Sequence, residues 1–376
     1  MFSLVDWGDT IYLDGTNTKE NPYECLTVTS PQLRTTLNIS ISFIGQNAPA
    51  YLSCPNGISF TGGQVQVHFS GLVFYSTPMS FYLCSIYIQK SVFKNPLLGM
   101  TLLKFYSVGN LTIFQSVFQE NAIISVDDGH FVLLSDSRLQ NNTEMAATII
   151  PSQKGKVKVD HCEFINSQGG LKITSVRNSS VFLSNTIFSK HTVKPSFVLE
   201  LESTSEAVIQ NVTIEKSLIV SDNSRKSAAV YIALSEEGNN TVNITDSAFK
   251  ENTFNAGGVG AMIIDNGPDL MKSKGCKNFL FNDSTEAYSV FSYTNRVLVT
   301  NCAFNRNFGK YAGALLIFNG LTRLIILQNF ARDTSVSVRA PAERRFTTAH
   351  FDKRKGRRLF YLTKVTILYP SCTAAL

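Results

Sequence analysis

The sequence predicts an all-β chain wound as a solenoid, and three observations support this. One short apolar pattern recurs along most of the 376 residues, and its copies follow one another at similar intervals. The pattern alternates with a period of two, which is typical of a β-strand. Apolar residues make up 44% of the chain and charged residues only 16%, with 27 Phe, so the chain can bury a large core.

The repeat has two apolar positions spaced by two, a gap, a small residue and a closing position that is usually Phe. Its nine copies begin at Val67, Ile86, Leu111, Val132, Val157, Val181, Ala207, Val242 and Val297. The closing positions are Phe74, Phe93, Phe118, Leu139, Phe164, Phe188, Ile214, Phe249 and Phe304. A tenth, degenerate copy is predicted at Cys276, Phe279 and Phe281.

The alternation slips by one residue inside each copy. A slip turns every later side chain to the other face unless the chain bends there. Each copy is therefore interpreted as two short strands joined by a corner. The corner residues are Gly71, Lys90, Gln115, Asp136, His161, Asn185, Asn211, Asp246 and Asn301. Gly, Asn, Asp and His tolerate positive φ best, which predicts a left-handed conformation at this corner.

The spacing of the copies favours a parallel β-helix over hairpins. Most copies start 19 to 26 residues after the one before, and hairpins would not repeat the same bent unit at one phase. About ten rungs stacked at about 4.8 Å would make a rod on the order of 50 Å long. The core should consist of apolar ladders, a Phe ladder and a ladder of small residues. The small residues are Ser91, Ser116, Ser137, Cys162, Thr186, Ser247 and Cys302.

Two further motifs carry a family resemblance. FKEN from Phe249 and FNRN from Phe304 are each followed by a Gly-rich apolar run, GGVGAMII and GALLIF, and FQEN from Phe118 is a further copy. These runs resemble the FxxN and GGA-type repeats of right-handed parallel β-helix proteins in the pectin-lyase-like superfamily, and of polymorphic outer-membrane and adhesin proteins. The resemblance covers residues 58–330 and implies a single-stranded right-handed β-helix. It does not choose a function, because that superfamily includes lyases, hydrolases, adhesins and structural proteins.

The chain divides into three predicted parts. Residues 1–57 are expected to form an N-terminal cap or the first rungs, and residues 58–330 the β-helix. Residues 331–376 form a basic tail without the repeat: from Arg332 onward there are ten basic and three acidic residues, or +7, while the rest of the chain is near −1. Three interpretations of the tail stay open: a disordered segment, a contact for an acidic surface or glycan, and a non-authentic reading frame.

The cysteines are interpreted by their place in the repeat. Cys25 and Cys54 precede the first clear rung, where a disulfide and two free thiols are both compatible with the sequence. Cys162 and Cys302 occupy inward small-residue positions and are expected to be buried, inert thiols.

Eight N-x-Ser/Thr sequons indicate a secreted or cell-surface glycoprotein. They lie at Asn38, Asn110, Asn141, Asn178, Asn211, Asn239, Asn243 and Asn282, and none falls on an inward position of the repeat. The first residues do not resemble a signal peptide, so an upstream signal is expected in the complete gene. The sequence contains no run of about 18 apolar residues, which is the length that a helix needs to span a bilayer.

The resemblance implies what a catalytic site would need. Superfamily lyases hold calcium with clustered carboxylates, and the hydrolases use paired carboxylates spread over neighbouring rungs, with NTD, DD, GHG and RIK motifs. NTD, GHG and RIK are absent here, and Asp127, Asp128 and His130 share one loop, which we interpret as a turn. Asp136 and His161 should lie on adjacent rungs beside Asp160, where corner geometry explains them better than a metal or acid–base role.

The sequence therefore predicts no catalytic, cofactor or metal residues. The near-neutral body argues against nucleic acid as a partner. The leading hypothesis is a non-catalytic extracellular β-helix with a structural, adhesive, glycan-binding or protein-binding role. The alternative is a diverged polysaccharide lyase or glycoside hydrolase that acts on an acidic polysaccharide, and a fragment of a larger adhesin is a third interpretation.

Overall fold

A computed structural model shows an all-β chain. It describes residues 10–24, 39–46, 49–62, 65–95, 102–220, 228–235, 238–254, 259–266, 295–309, 315–318, 323–327, 329–332, 337–338, 351–352, 359–362 and 365–366. Every regular element in these ranges is a strand, and the strands up to Val338 pair with one another in parallel, apart from one isolated bridge. None of the described residues forms a helix that is long and apolar enough to cross a membrane.

The strands form a parallel β-helix, as the sequence predicts, and each coil contributes to three sheets. Sheet 1 contains Thr10–Asp14, Ile39–Gln46, Val65–Ser70, Ser85–Gln89, Asn110–Phe114, the second halves of Ile124–Ser135 and Met145–Asp160, Ser180–Ser184, Glu206–Gln210, Thr241–Thr245, Arg296–Thr300 and Arg323–Leu327. Sheet 2 contains Tyr23–Glu24, Ala50–Ser53, Leu72–Tyr75, Val92–Lys94, Val117–Gln119, Arg138–Gln140, Glu163–Ile165, Ile187–Ser189, Thr213–Glu215, Ala248–Lys250, Ala303–Asn305 and Asn329–Arg332.

Sheet 3 completes each coil, and its strands lie outside the repeat that was found in the sequence. It contains Ile58–Thr61, Met79–Tyr82, Leu103–Tyr106, the first halves of the two long strands, Gly169–Ser175, Phe197–Leu201, Ala228–Leu234, Val259–Asn266, Leu315–Phe318 and Ser337–Val338. A short extra pair joins Leu218–Ile219 to Thr253–Phe254.

The described strands of sheets 1 and 2 give twelve coils, against about ten predicted. Two coils precede Val65 and one follows Asn305. The predicted tenth copy is wrong as a rung, because Val242 pairs directly with Val297 and no coil lies between them. Its residues, Cys276, Phe279 and Phe281, lie outside the described residues.

The corner between sheets 1 and 2 is left-handed in every predicted copy. All nine corner residues have positive φ, from 48° at Lys90 to 65° at Gly71. The other two corners also use left-handed residues, such as Asn166 and Asn178. A single residue at φ near +50° turns the chain sharply enough to keep inward side chains inward on both strands.

The interior is a stack of ladders, since each coil sets its inward residues above those of the coil before. In the phenylalanine ladder, Phe74, Phe93 and Phe118 stack with ring centroids 4.8 Å apart, which is the spacing of the strands. Leu139 and Ile214 interrupt the ladder, which resumes with the pairs Phe164–Phe188 and Phe249–Phe304.

The small-residue ladder is hydrogen-bonded as well as buried. The Ser116 hydroxyl donates to the Phe114 carbonyl at 2.9 Å and accepts the Ser91 amide at 3.3 Å, so each hydroxyl ties one coil to the next. Cys162 and Cys302 occupy the same ladder as thiols that are not disulfide-bonded, and burial raises the pKa of the Cys162 thiol to about 12 and that of Cys302 to about 11. Neither thiol is available as a thiolate nucleophile at neutral pH.

The Asn of each FxxN motif points into the helix at the corner that follows sheet 2. Asn252 is 1% exposed, and its amide nitrogen donates to the Ile214 carbonyl at 2.9 Å and to Asn307 Oδ1 at 3.0 Å. Its own side-chain oxygen accepts the Ser217 amide at 3.2 Å. The motif therefore supplies the backbone partners that a buried corner lacks.

The pairing changes direction after the last parallel coil. Leu359–Leu362 pairs antiparallel with Asn329–Arg332, and Val365–Thr366 pairs antiparallel with Arg323–Leu327. Phe351–Asp352 pairs antiparallel with Leu359–Leu362. These three strands belong to the basic tail, of which the structure describes only such short segments.

Candidate functional site

The outward side chains of sheet 3 form one continuous face along the rod. Because alternate residues of a strand point outward, register places them in two columns parallel to the helix axis. The first column contains Ser59, Ser80, Lys104, Ser125, Thr148, Lys172, Val198, Tyr231 and Ile263. The second contains Thr61, Tyr82, Tyr106, Asp127, Ile150, Thr174, Glu200, Ala233 and Asp265. We call these residues the sheet 3 face.

Two stacked tyrosines of this face lie beside the corner with sheet 1, and we call this region, with the rings of Tyr87 and His68 on sheet 1, the aromatic half. Tyr82 and Tyr106 stack with centroids 4.8 Å apart and planes within 10°, and Tyr82 is 38% exposed. Beyond the turn that begins at Leu83, Tyr87 lies 4.9 Å from the His68 ring on sheet 1 and is also exposed. Four rings from neighbouring coils therefore flank one corner of the rod.

Polar groups border these rings. The Tyr87 hydroxyl donates to Gln89 Oε1 at 3.2 Å, and the Gln89 amide donates to Ser70 Oγ at 3.0 Å. On the other side, Ser107 Oγ donates to Asp128 Oδ2 at 2.9 Å. Partial burial lowers the pKa of His68, so its ring is mostly neutral at neutral pH. The aromatic half thus presents ring surface beside uncharged and acidic hydrogen-bonding groups.

The other half of the face carries two pairs of ionisable groups, and the members of each pair contact one another. Lys172 Nζ lies 3.1 Å from the Glu200 carboxylate, which also accepts the Thr174 hydroxyl at 2.8 Å. Further along, the Tyr231 hydroxyl donates to Asp265 Oδ2 at 3.0 Å. Glu200 is half-buried, while Tyr231 and Asp265 are each 6% exposed.

Burial sets the electrostatics of this second half. Burial, with the nearby carboxylates of Asp265 and Glu200, raises the pKa of the Tyr231 phenol above its usual range. The hydroxyl therefore remains a proton donor at any physiological pH. Val198, Ala228, Val259 and Ile263 form a separate apolar cluster around it.

Little in the sequence indicated this second half. The strand Ala228–Leu234 is buried along its whole length, so it shows no alternation that would mark Tyr231 as outward. Tyr231 and Asp265 are also 34 residues apart, and only the register of sheet 3 brings them together. An Asp that ends an uninterrupted apolar run, GGVGAMIID, was the one available signal.

Asp136, Asp160 and His161 lie at neighbouring corners but do not converge on one point as metal ligands would. His161 Nδ1 lies 3.1 Å from Asp160 Oδ1 in the same coil, and Asp136 instead accepts the hydroxyl of Ser135. Although burial opposes ionisation, hydrogen bonds from Asn185 and Ser184 lower the pKa of Asp160 to about 2, with smaller effects of the His161 and Lys158 charges. A carboxylate this acidic is a hydrogen-bond acceptor and a poor general base.

The other carboxylates and histidine that the sequence analysis considered share one bulge. Asp127, Asp128 and His130 are exposed on a bulge of the strand Ile124–Ser135, where Asp128 has a φ of 62°. Within the described ranges, no three His, Cys, Asp or Glu side chains are grouped so that they could hold a metal ion.

The predicted sites of modification are partly described. Asn110, Asn141, Asn178, Asn211 and Asn239 are exposed and Asn243 is half-buried, whereas Asn38 and Asn282 lie outside the described residues. Cys54 is disulfide-bonded. Cys25 lies outside the described residues, so its pairing with Cys54 stays a prediction.

Comparison with known proteins returns a solved structure of similar fold. No protein family model matches the chain, and no curated protein matches it. The A-module of the mannuronan C-5 epimerase AlgE4 of Azotobacter vinelandii aligns with 86% of each chain, at 12% identity and a TM-score of 0.48. The parallel β-helix described above rests on the strand pairing of this chain itself.

Proposed function

We propose that this protein is a non-catalytic extracellular β-helix that binds a glycan on the aromatic half of the sheet 3 face. The observation that supports this best is the Tyr82–Tyr106 stack, in which Tyr82 is exposed, with the Tyr87–His68 pair on sheet 1 across the next corner. Aromatic rings offer a flat apolar surface with a polar edge, which suits the C–H face of a sugar ring. The amide of Gln89 and the carboxylate of Asp128 stand beside the rings to pair with sugar hydroxyls.

Two observations support an extracellular location. Five of the described sequons are exposed, where a glycan meets no packing obstacle. Cys54 is disulfide-bonded, and disulfides persist in oxidising compartments. If the protein is secreted, treatment of the natural protein with an N-glycosidase should lower its mass, and an unchanged mass would count against this location.

The binding proposal is tested with single ring deletions. A glycan array first identifies a ligand, and calorimetry then compares the wild type with Tyr82→Ala and Tyr106→Ala. Each deletion should weaken binding up to about tenfold, because one aromatic contact is worth about 0.5–1.5 kcal/mol.

Tyr12→Ala is the matched control, since Tyr12 is an exposed tyrosine of the first coil, away from this face. It should bind as the wild type does. Equal affinities for all four proteins would contradict the proposed site, and the absence of any glycan ligand would contradict the function.

A diverged polysaccharide lyase or hydrolase is the second candidate. Glu200 and Asp265 occupy the same column two coils apart, which is about 9.6 Å between their strands. This strand spacing lies just above the upper limit of the separation of about 6.5–9.5 Å between the two carboxyl groups of inverting glycosidases. Release of reducing ends or unsaturated ends from polyuronides, with and without calcium, would support this candidate if Glu200→Gln and Asp265→Asn abolished it.

A further inference from the structure

The last parallel coil is covered by strands of the opposite direction. Arg323–Leu327 and Asn329–Arg332 continue sheets 1 and 2 in parallel from the preceding coil. On their other edge, both pair antiparallel with Val365–Thr366 and Leu359–Leu362.

An uncovered coil would be a template for another coil. The edge of a parallel sheet offers a row of N–H and C=O groups that a further strand can pair with. In this fold, the coil that matches such an edge best is the first coil of a second copy, which begins with Thr10–Asp14. Solenoid proteins need terminal caps for this reason.

Charge would draw the two ends together. Residues 1–24 contain five acidic residues and one Lys, whereas Arg332 to Leu376 contains ten basic and three acidic residues. Opposite charge speeds encounter, so electrostatics alone does not keep the ends of two copies apart.

We propose that Phe351–Asp352, Leu359–Leu362 and Val365–Thr366 form an end cap that prevents head-to-tail stacking of this chain. The antiparallel strands occupy the backbone groups with which the first coil of a second copy would pair. The outermost strand of the cap is only two residues long, and an edge this short gives a new partner little to pair with. These three strands of the basic tail are then a folded part of the solenoid end.

The test removes backbone donors of the cap and keeps its charge. Phe360 and Tyr361 pair with Ala331 and Phe330, and proline at both positions removes two N–H groups from the cap strand. Sedimentation velocity over a wide concentration range should show a monomer for the wild type. The double variant F360P/Y361P should show a mass that at least doubles as concentration rises, with longer rods in electron micrographs.

The control is T373P/A374P, which adds two prolines beyond the cap strands and should remain monomeric. A wild type that already forms rods, or a folded F360P/Y361P that stays monomeric, would overturn the proposal.

Hydrogen exchange on the wild type decides the case in which the double variant fails to fold. The amides of Leu359–Leu362 should be protected to the same degree as those of Asn329–Arg332. Exchange of Leu359–Leu362 at the rate of an unstructured chain would also overturn the proposal.

Discussion

Asn252 provides the sharpest test of how the coils are held together. In Asn252→Ala, the Ile214 carbonyl and the Ser217 amide lose their side-chain partner, and Asn307 Oδ1 loses one donor. A buried polar group left without a partner costs about 1–3 kcal/mol. The Ser217 amide left without its acceptor, together with the two hydrogen bonds that the Asn252 amide no longer donates, therefore predicts a loss of about 2–6 kcal/mol in the free energy of unfolding, which is a large share of the total for most domains.

Urea unfolding followed by circular dichroism measures this loss. Gln66→Ala is the control, because Gln66 is an exposed amide on a strand of sheet 1, and it should change the free energy of unfolding by less than about 0.5 kcal/mol. Since solenoid coils contact only their neighbours, hydrogen exchange should locate the damage at the Ser217 amide. A loss below about 1 kcal/mol with Ser217 still protected would refute the role assigned to the asparagine.

Three further predictions concern the core and its pH dependence. Phe118→Ala should lower the free energy of unfolding by about 3–5 kcal/mol in a urea titration, because Phe118 is fully buried against Phe93. Phe118→Leu should lower it much less, since Leu139 fills the same position in the next coil. Burial lowers the pKa of His191, which is hydrogen-bonded to the Ser167 carbonyl, from 6.5 to about 4, so only the unfolded chain binds this proton between these values. Stability should therefore fall by about 3 kcal/mol on acidification from pH 6.5 to 4, and a His191→Gln variant that kept this slope would contradict the assignment. The pKa of Asp160 is lowered from 3.8 to about 2, so the ionised Asp160 contributes about 2 kcal/mol to the free energy of unfolding above pH 3.8 and loses this contribution towards pH 2. Asp160→Asn should remove this pH dependence from acid-unfolding curves.

The coil, its corner and its ladders could be predicted because they are local. The parity slip and residues such as Asp136 and Asn185 mark a left-handed corner within eight residues of sequence, and the structure confirms it. The FxxN motif identified the fold, although its sequence did not show that Asn252 hydrogen-bonds three coils at once.

The candidate site could not be predicted to the same degree because it depends on register between distant residues. Tyr82 and Tyr106 stack only because parallel pairing brings two strands of sheet 3 into register. The same dependence explains the wrong tenth rung. An apolar pattern at Cys276 suggests a strand of a further coil, but Val242 pairs directly with Val297, so no coil fits between these two strands.

The interruptions of the phenylalanine ladder have a mechanical consequence. A rod built of stacked coils and pulled by its ends yields coil by coil, and a coil such as the one from Val157 to Val181 releases 24 residues, or about 80 Å of extended chain. Leu139 and Ile214 are the two levels where ring stacking is missing among the nine closing positions. Under tension the rod should part first at these levels, so that it extends as a few stiff blocks before each block unwinds.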